Sequence, residues 1–519
     1  MMQKMPYSWL KVAAVSVTVL IGTGCKDLSV ANPNEPDRGR ALNDALAVES
    51  LIAGSFKTWW DMQQGPTTRW LSCAGQTTTS SALNYGSWDA CWQPARPVPN
   101  QAGYVWGYAI EEPFLFVNRA SAGIRDGLLM IKDGLKIGTN GADTPRLQAF
   151  AKFMLGLNHA YIAQRYDQGW IIDETVDVEA SLTKKDLRPY GELMKAALAY
   201  LEEARQIASR NPFSTPSVWM QSSYTSANLI RLTHSLEARY LATVARTPEQ
   251  RAAVDWGAVL THIQLGVTSD FGIQQDGPGG MWDANLKNMS TLTGGVALNL
   301  LGPADQSGRW QNWLSKAPRD RAWFLVETDD RRIHGPGGPE ASGTLFQIRK
   351  NASGQIIVYN DAERGLWLQT PYSSYAWRSF AETEFGFTPE LTLKEMDFLR
   401  AEAYIRLGQP NLALPIINKT RVENGKLPPA TVSGVSGTRC VPRKPTGQCG
   451  DLMDALIYEK RLETLWLSGG LDFYDARAFG RVAHGHARHL PVPAYELQAL
   501  KLPIYTFGGE AGNGVPGLP

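Results

Sequence analysis

The stretch Leu391–Gly425, LTLKEMDFLRAEAYIRLGQPNLALPIINKTRVENG, limits what this chain can fold into more than any other. Leu393, Met396, Leu399, Ala403 and Leu407 recur three or four residues apart, which draws one apolar stripe down a helix. Ala401 and Ala403 are small enough to let a second helix come close. Gly408 stands where a helix ends on a left-handed residue. Ala413, Ile416, Ile417 and Val422 form a second apolar face, and Gly425 closes it. The spacing predicts two antiparallel helices joined by a tight turn, the size of one tetratricopeptide-type repeat. An ordinary helical hairpin is the plainer reading. One such hairpin cannot bury its own outer face, so it demands companions.

Companions are found upstream. Helical spacing is read over 42–62, with Leu46, Leu51, Ile52 and Phe56, and again over 113–135, 146–166, 188–208, 228–245 and 256–266. Downstream, LMDALIYEKRLETLWL at 452–467 is amphipathic, Gly469-Gly470 breaks it, and 471–479 forms a short helix. The period fails in two places. Residues 64–112 mix Trp, Tyr, Gly, Ser, Thr and Pro, and 269–389 carry the turn signals Gly277-Pro278-Gly279-Gly280 and Gly335-Pro336-Gly337-Gly338. Thr344–Ile348 and Gln355–Tyr359 alternate like small strands. A stretch as long as 269–389 exceeds a simple loop and reads as an insertion. The expected class is therefore mainly all-α: about four tetratricopeptide-like pairs, long loops, and an inserted subdomain with little β-structure. Its segments are a leader 1–24, a tether 25–41, an N-terminal scaffold 42–268 with loop 64–112, the insertion 269–389 and a C-terminal scaffold 390–519.

The amino terminus has the pattern of an export signal. Lys4 and Lys11 precede a short apolar run over 12–21, too short to span a bilayer. Leu20-Ile21-Gly22-Thr23-Gly24-Cys25 resembles a bacterial lipobox, in which Cys25 becomes the lipidated first residue, although the third position before the cysteine is Gly22 rather than Leu. Each buried acyl CH₂ adds about 0.8 kcal/mol, so several chains hold a soluble domain on a membrane. A plain signal peptide cut nearby is the rival reading. Net charge is +1, which gives no excess for binding a polyanion such as nucleic acid. Export also changes the meaning of Cys73, Cys91, Cys440 and Cys449, because disulfides persist in oxidising compartments. Four cysteines allow three pairings. The local choice is Cys73 with Cys91 and Cys440 with Cys449, and no histidine stands near either pair to favour a metal.

Several pieces in this order resemble the SusD/RagB family of outer-membrane nutrient-uptake lipoproteins. They are the lipobox followed by Asn32-Pro33; Leu399-Arg400-Ala401-Glu402-Ala403-Tyr404-Ile405-Arg406-Leu407-Gly408; Ile457-Tyr458-Glu459-Lys460-Arg461-Leu462-Glu463 with Phe473-Tyr474-Asp475 and Arg477; and Leu490-Pro491-Val492-Pro493 before Glu496-Leu497. The resemblance spans the mature chain. One departure is Ser468-Gly469-Gly470-Leu471-Asp472, where the family carries Glu-Gly and an Arg. The resemblance implies a ligand site built from loops and the insertion on one side of the scaffold. It implies an outer-membrane location with the protein facing outward, and a partner: a SusC-like TonB-dependent transporter that this lipoprotein covers as a hinged lid. It implies binding of an oligosaccharide, or in some members a peptide, with no catalytic residues and no cofactor.

The chain holds 17 tryptophans, several of them in the irregular segments. Flat aromatic faces stack on the CH-rich faces of sugar rings while polar neighbours take the hydroxyls. The candidate ligand-binding residues are Arg69, Trp70, Asn84, Tyr85, Trp88 and Trp92 in the first loop region, with Gln76 and Asp89 as further polar groups, and Trp282, Trp310 and Trp313 in the insertion. Burial as loop anchors is the competing role for each tryptophan. His484, His486 and His489 lack a metal-ligand spacing and read as a solvated loop, so no metal site is expected. Asp329-Asp330-Arg331-Arg332 reads as a solvated charge cluster, and Glu459 and Glu463 share a helix face where they can hold Arg or Lys. A lipid-anchored glycan hydrolase on a helical scaffold is the alternative function. It needs two carboxylates about 5–10 Å apart in an aromatic cleft, with Asp89 and Asp283 as conceivable members.

Overall fold

The computed structural model describes residues 44–80, 87–91, 95–277, 280–282, 294–317, 320–358, 370–374, 385–482 and 485–509. The lipobox and Cys25 lie outside them. Helices dominate. Four pairs pack in succession: α1 (Ala45–Gln63) with α3 (Tyr108–Lys132), α4 (Thr144–Arg165) with α5 (Tyr190–Arg210), α6 (Ser226–Thr243) with α7 (Trp256–Gln264), and α9 (Leu393–Arg406) with α10 (Pro410–Glu423). Helix α2 (Pro66–Ala74) follows α1, and α8 (Arg309–Ser315) lies in the insertion. Helices α11 (Leu452–Glu463), α12 (Leu471–Ala478) and α13 (Ala494–Ala499) complete the C-terminal side. Among the described residues no helix is long and apolar enough to cross a membrane.

Helix α1 buries Val48, Ile52, Phe56, Trp59 and Trp60, one face at helical spacing, while Leu46 and Leu51, read from sequence as part of that face, are exposed. Helix α3 contains Pro113, whose missing N–H leaves the carbonyl of Ala109 unpaired within the helix. The Thr67 hydroxyl donates to that carbonyl instead, which ties α2 to α3. Helix α4 is buried nearly all round, and two of its polar side chains pair inside the array: Gln164 Nε2 donates to Thr243 Oγ1 at 2.7 Å and Asn158 Nδ2 to Ser121 Oγ at 3.2 Å. Gly156 lets α4 and α5 approach closely, since a Cβ there would stand 2.6 Å from Leu201.

In the fourth pair, Thr392 caps α9 by accepting the Glu395 N–H at 3.1 Å, and Gly408 takes φ +74° just beyond its end. Met396, Leu399, Ala403, Ala413 and Ile417 are buried as the spacing predicts; Leu393, Leu407 and Val422 are exposed. The sequence reading missed that acids on α9 also turn inward. Arg239 on α6 reaches Glu395 (Nε–Oε1 2.7 Å) and Glu390 (Nη1–Oε1 2.8 Å), and Arg251 holds Glu402 through Nε at 3.0 Å and Nη2 at 2.6 Å. Ser468, at the family departure, accepts Arg239 Nη1 at 2.6 Å and donates to Glu390 at 2.8 Å. These forked ion pairs bind the third pair to the fourth.

Between those two pairs the chain leaves on β2 (Phe271–Asp276) and returns on β6 (Phe385–Leu391). The two are antiparallel, from Phe271 opposite Leu391 to Asp276 opposite Phe385. The excursion has its own core, with Val296, Leu298, Leu301, Val326, Ile333, Phe346 and Tyr372 packed against Leu427, Val441, Tyr458, Leu462 and Trp466. Thr344–Ile348 contributes the short strand β4 (Phe346–Ile348), while in Gln355–Tyr359 only Ile356 forms a bridge, to Lys350, and Tyr359 lies outside the described residues.

Arg332 locks this segment to the scaffold. It donates to Asp330 (Nε–Oδ1 3.0 Å), to Glu459 (Nη1–Oε2 2.5 Å) and to Glu463 (Nη1–Oε1 3.1 Å), and Tyr458 adds a hydroxyl to Asp330 at 2.6 Å. Burial alone would lower the guanidinium, but Asp330 and Glu459 beside it raise it well above its ordinary value. Asp330 and Arg332 are fully buried, so this part of the 329–332 run is not a solvated cluster; Asp329 alone of the two acids stays outside, paired with Arg439 at 2.9 Å. The shared face of Glu459 and Glu463 does hold an arginine, as the helical spacing implied. His486 is buried and His489 packs its ring on Phe507 at 4.4 Å, so these two are folded inward rather than solvated; His484 lies outside the described residues.

Candidate ligand site

The two irregular regions meet at a small strand seam. Strand β1 (Thr78–Ser80) comes from the first loop region and β3 (Gly294–Val296) from the excursion; they pair antiparallel, Thr78 opposite Val296 and Thr79 opposite Gly295. Beside β3 runs β5 (Tyr372–Ser374), itself paired with β4. The disulfide Cys73–Cys91 closes the first region behind β1, and Cys440–Cys449 closes a loop of the C-terminal scaffold; both are the local pairings. Closing loops of this size removes conformations from the unfolded chain, worth about 3 kcal/mol each.

The seam is built from hydroxyls and amides. Ser72 Oγ donates to Asp472 Oδ1 at 3.1 Å, Thr77 also donates to Asp472, and Trp466 Nε1 donates to Thr78 Oγ1 at 2.6 Å. Burial pushes Asp472 up, against the pull of those hydroxyls. Gln76 accepts the Asn299 amide. The Thr79 and Ser373 hydroxyls are buried and have no hydrogen-bond partner among the described residues.

The predicted site residues divide sharply. Asn84, Tyr85 and Trp92, and the side chains of Arg69 and Trp88, lie outside the described residues. Trp70, Trp282, Trp310 and Trp313 are 2–6% exposed, which corrects the expectation that they offer faces to a ligand. Their indoles anchor loops. Trp282 packs on Phe56 at 6.1 Å with the Lys57 ammonium 5.8 Å from its ring. Trp313 lies under Arg321 at 4.4 Å, and Trp310 lies so close on Gly302 that a Cβ there would meet it at 2.2 Å. Asp89 is engaged by Arg96 at 3.2 Å and by the Tyr104 hydroxyl. Burial and this bond to Asp89 push the Tyr104 hydroxyl far above its usual range. Among the tryptophans whose side chains are described, Trp323 alone is exposed, at 40%.

Open hollows lie along α3, where sequence reading placed only scaffold. A trough of about 870 Å³ runs between α1 and α3 past Gly54, Thr58, Arg119 and Gly123. It shares Arg119 and Ala122 with a second hollow of about 250 Å³ lined by Phe114, Trp170, Ile172 and Tyr495. Trp170 is fixed there by donating to Glu496 at 2.9 Å, and the Tyr495 hydroxyl is buried with no partner among the described residues. The only sequence signal was Glu496, in the closing motif after Pro491 and Pro493.

No family model matches the sequence, and no curated protein matches it. The fold is matched by solved structures. A SusD superfamily protein from Bacteroides vulgatus ATCC 8482 is similar over 88% of this chain and 97% of its own, at TM-score 0.55 and 9% identity. A second from the same organism covers 91% of this chain and 99% of its own, at 0.51 and 13%. A SusD-like protein from Bacteroides fragilis NCTC 9343 covers 85% and 87%, at 0.51 and 13%. The architecture is that of the SusD-like proteins: a helical, tetratricopeptide-like scaffold over nearly the full length of each.

Proposed function

We propose that this chain is an outer-membrane lipoprotein that binds an oligomeric nutrient at the cell surface and passes it, as a lid, to a SusC-like TonB-dependent transporter. One observation carries the reading. Within a SusD-type fold, the first loop region and the excursion are joined at β1–β3, so residues far apart in sequence can grip one ligand. The lipobox-like Gly22-Thr23-Gly24-Cys25 supports the anchor. A glycan is favoured over a peptide, because the first region is rich in aromatic residues. Asn84, Tyr85, Trp88 and Trp92 are the residues proposed to contact it. The protein does no chemistry on its ligand. Asp89, one of the two acids a hydrolase would need, is tied between Arg96 and Tyr104.

The test is calorimetry of chain 25–519 against a panel of oligosaccharides and peptides, with chromatography of the ligand afterwards. Saturable binding with intact ligand is expected, weakened roughly tenfold in W88A/W92A. Cleaved ligand would establish the hydrolase instead, and binding of neither class would overturn the proposal. Replacement of Cys25 by Ser is expected to release the protein from the membrane fraction.

A further inference from the structure

A cluster on the third helix pair belongs to neither the seam nor the hollows. His234 and Glu237 stand one turn apart on α6, and His262 stands in the last turn of α7. His234 Nδ1 lies 3.0 Å from His262 Nδ1. Glu237 Oε2 lies 2.9 Å from His262 Nδ1 and 4.0 Å from His234 Nδ1. Three atoms at these separations share a point about 2.0 Å from each, the usual length of a bond from a first-row transition ion to imidazole nitrogen or carboxylate oxygen; it lies in their plane, with His234 and Glu237 on nearly opposite sides, as in a tetragonal site. The Glu237 side chain is 4% exposed, that of His234 15% and that of His262 22%, so the base of the cluster is dry and its outer side open.

The surroundings accommodate a cation. Arg205 donates Nη1 to Glu237 Oε2 and Nη2 to Glu202. A carboxylate oxygen has two lone pairs, so Oε2 can accept Arg205 and still bond an ion. Carboxylates that bind metals are commonly held in this way by a further hydrogen bond. With two glutamates to one arginine, the acids outnumber the base beside the site. Two imidazole nitrogens and one carboxylate suit a first-row transition ion, whereas calcium and magnesium call for mostly oxygen donors.

We propose that His234, Glu237 and His262 bind one divalent first-row transition-metal ion, with its remaining positions open to water. The bound ion ties α6 to α7. Its open positions let a group from a ligand or a neighbouring protein coordinate as well. The competing explanation of the same distances is a hydrogen bond from His262 Nδ1–H shared between Glu237 and His234, with no ion.

The experiment uses chain 25–519 without a histidine tag, stripped with chelator. It is titrated with Co²⁺, followed by its visible absorption, and with Zn²⁺ by calorimetry. One ion per chain is expected, with Zn²⁺ displacing Co²⁺, no heat from Ca²⁺ or Mg²⁺, and a higher melting temperature when Zn²⁺ is present. His234→Gln, His262→Gln and Glu237→Gln are each expected to weaken binding at least about tenfold. His484→Gln is expected to leave it unchanged. Far-UV circular dichroism and the metal-free melting temperature identify any variant that misfolds, and the remaining two then decide. Absence of binding, or binding undiminished in the folded variants, would establish the hydrogen-bonded cluster and overturn the proposal.

Discussion

In the helical array a residue's burial follows from its place along a helix; in the excursion it follows from a partner far away in the chain. Val48, Ile52 and Phe56 are buried because they recur every four residues on α1. Arg332 is buried because Glu459, 127 positions on, waits for it. Trp310 is buried because Gly302 leaves room for its ring. Within each helix pair the array is held by many interchangeable apolar contacts, with buried ion pairs joining the third pair to the fourth, whereas the excursion is fastened to the scaffold by a few large or charged anchors. Loss of one anchor should therefore cost more than loss of one stripe residue.

The strongest test of that contrast is Arg332→Ala, which leaves Asp330 and Glu459 buried without their cation. It is expected to cost about 3–5 kcal/mol in urea unfolding. Arg439→Ala, at the exposed pair with Asp329, is expected to cost under about 1 kcal/mol. Equal effects would remove the distinction between anchor and surface pair. Next comes Trp310→Ala, expected to cost about 3–4 kcal/mol, against less than about 0.5 kcal/mol for the exposed Trp323→Ala. Thermal melts of the two variants decide whether the indole is structural.

The smallest effect sharpens the comparison from the array's side. His159 on α4 is buried; its Nδ1 pairs with the Leu155 carbonyl at 2.7 Å and its Nε2 accepts the Ile172 N–H at 3.1 Å. Burial lowers its pKa from 6.5 to about 4. As pH falls, the unfolded chain takes up the proton first, so stability is lost from about pH 6.5 down to about pH 4, by up to about 3 kcal/mol for this one ring. His159→Gln keeps an acceptor for Ile172 and is expected to flatten that part of the pH dependence of urea unfolding. An unchanged slope would assign the acid loss to other groups.

The same contrast explains what could be read from the sequence. The helix pairs were legible, because apolar spacing is local: 188–208 and 228–245 fall on α5 and α6 within two residues. The two disulfides were legible as the nearest pairings. Burial of Asp330 and Arg332 was not, since their run looks like ordinary surface charge and the partner acids lie on another helix. The tryptophans were visible as aromatic residues, but no local pattern separates a ring that faces a ligand from one that fills a core. The β2–β6 ribbon was hidden because Phe385 and Phe387 are exposed and Pro389 lies within the strand. The cluster of His234 and Glu237 with His262 was hidden by the 28-position separation of its imidazoles.

Because β2 and β6 lie side by side, the chain departs from the stack and rejoins it at almost the same point. Stretches of the excursion away from Arg332 and the core it shares with the helices can lengthen or shorten without moving the helices on either side, as insertions between adjacent ends generally can. New sequence can be taken up at the far end of the excursion while its mounting on the helices stays as it is.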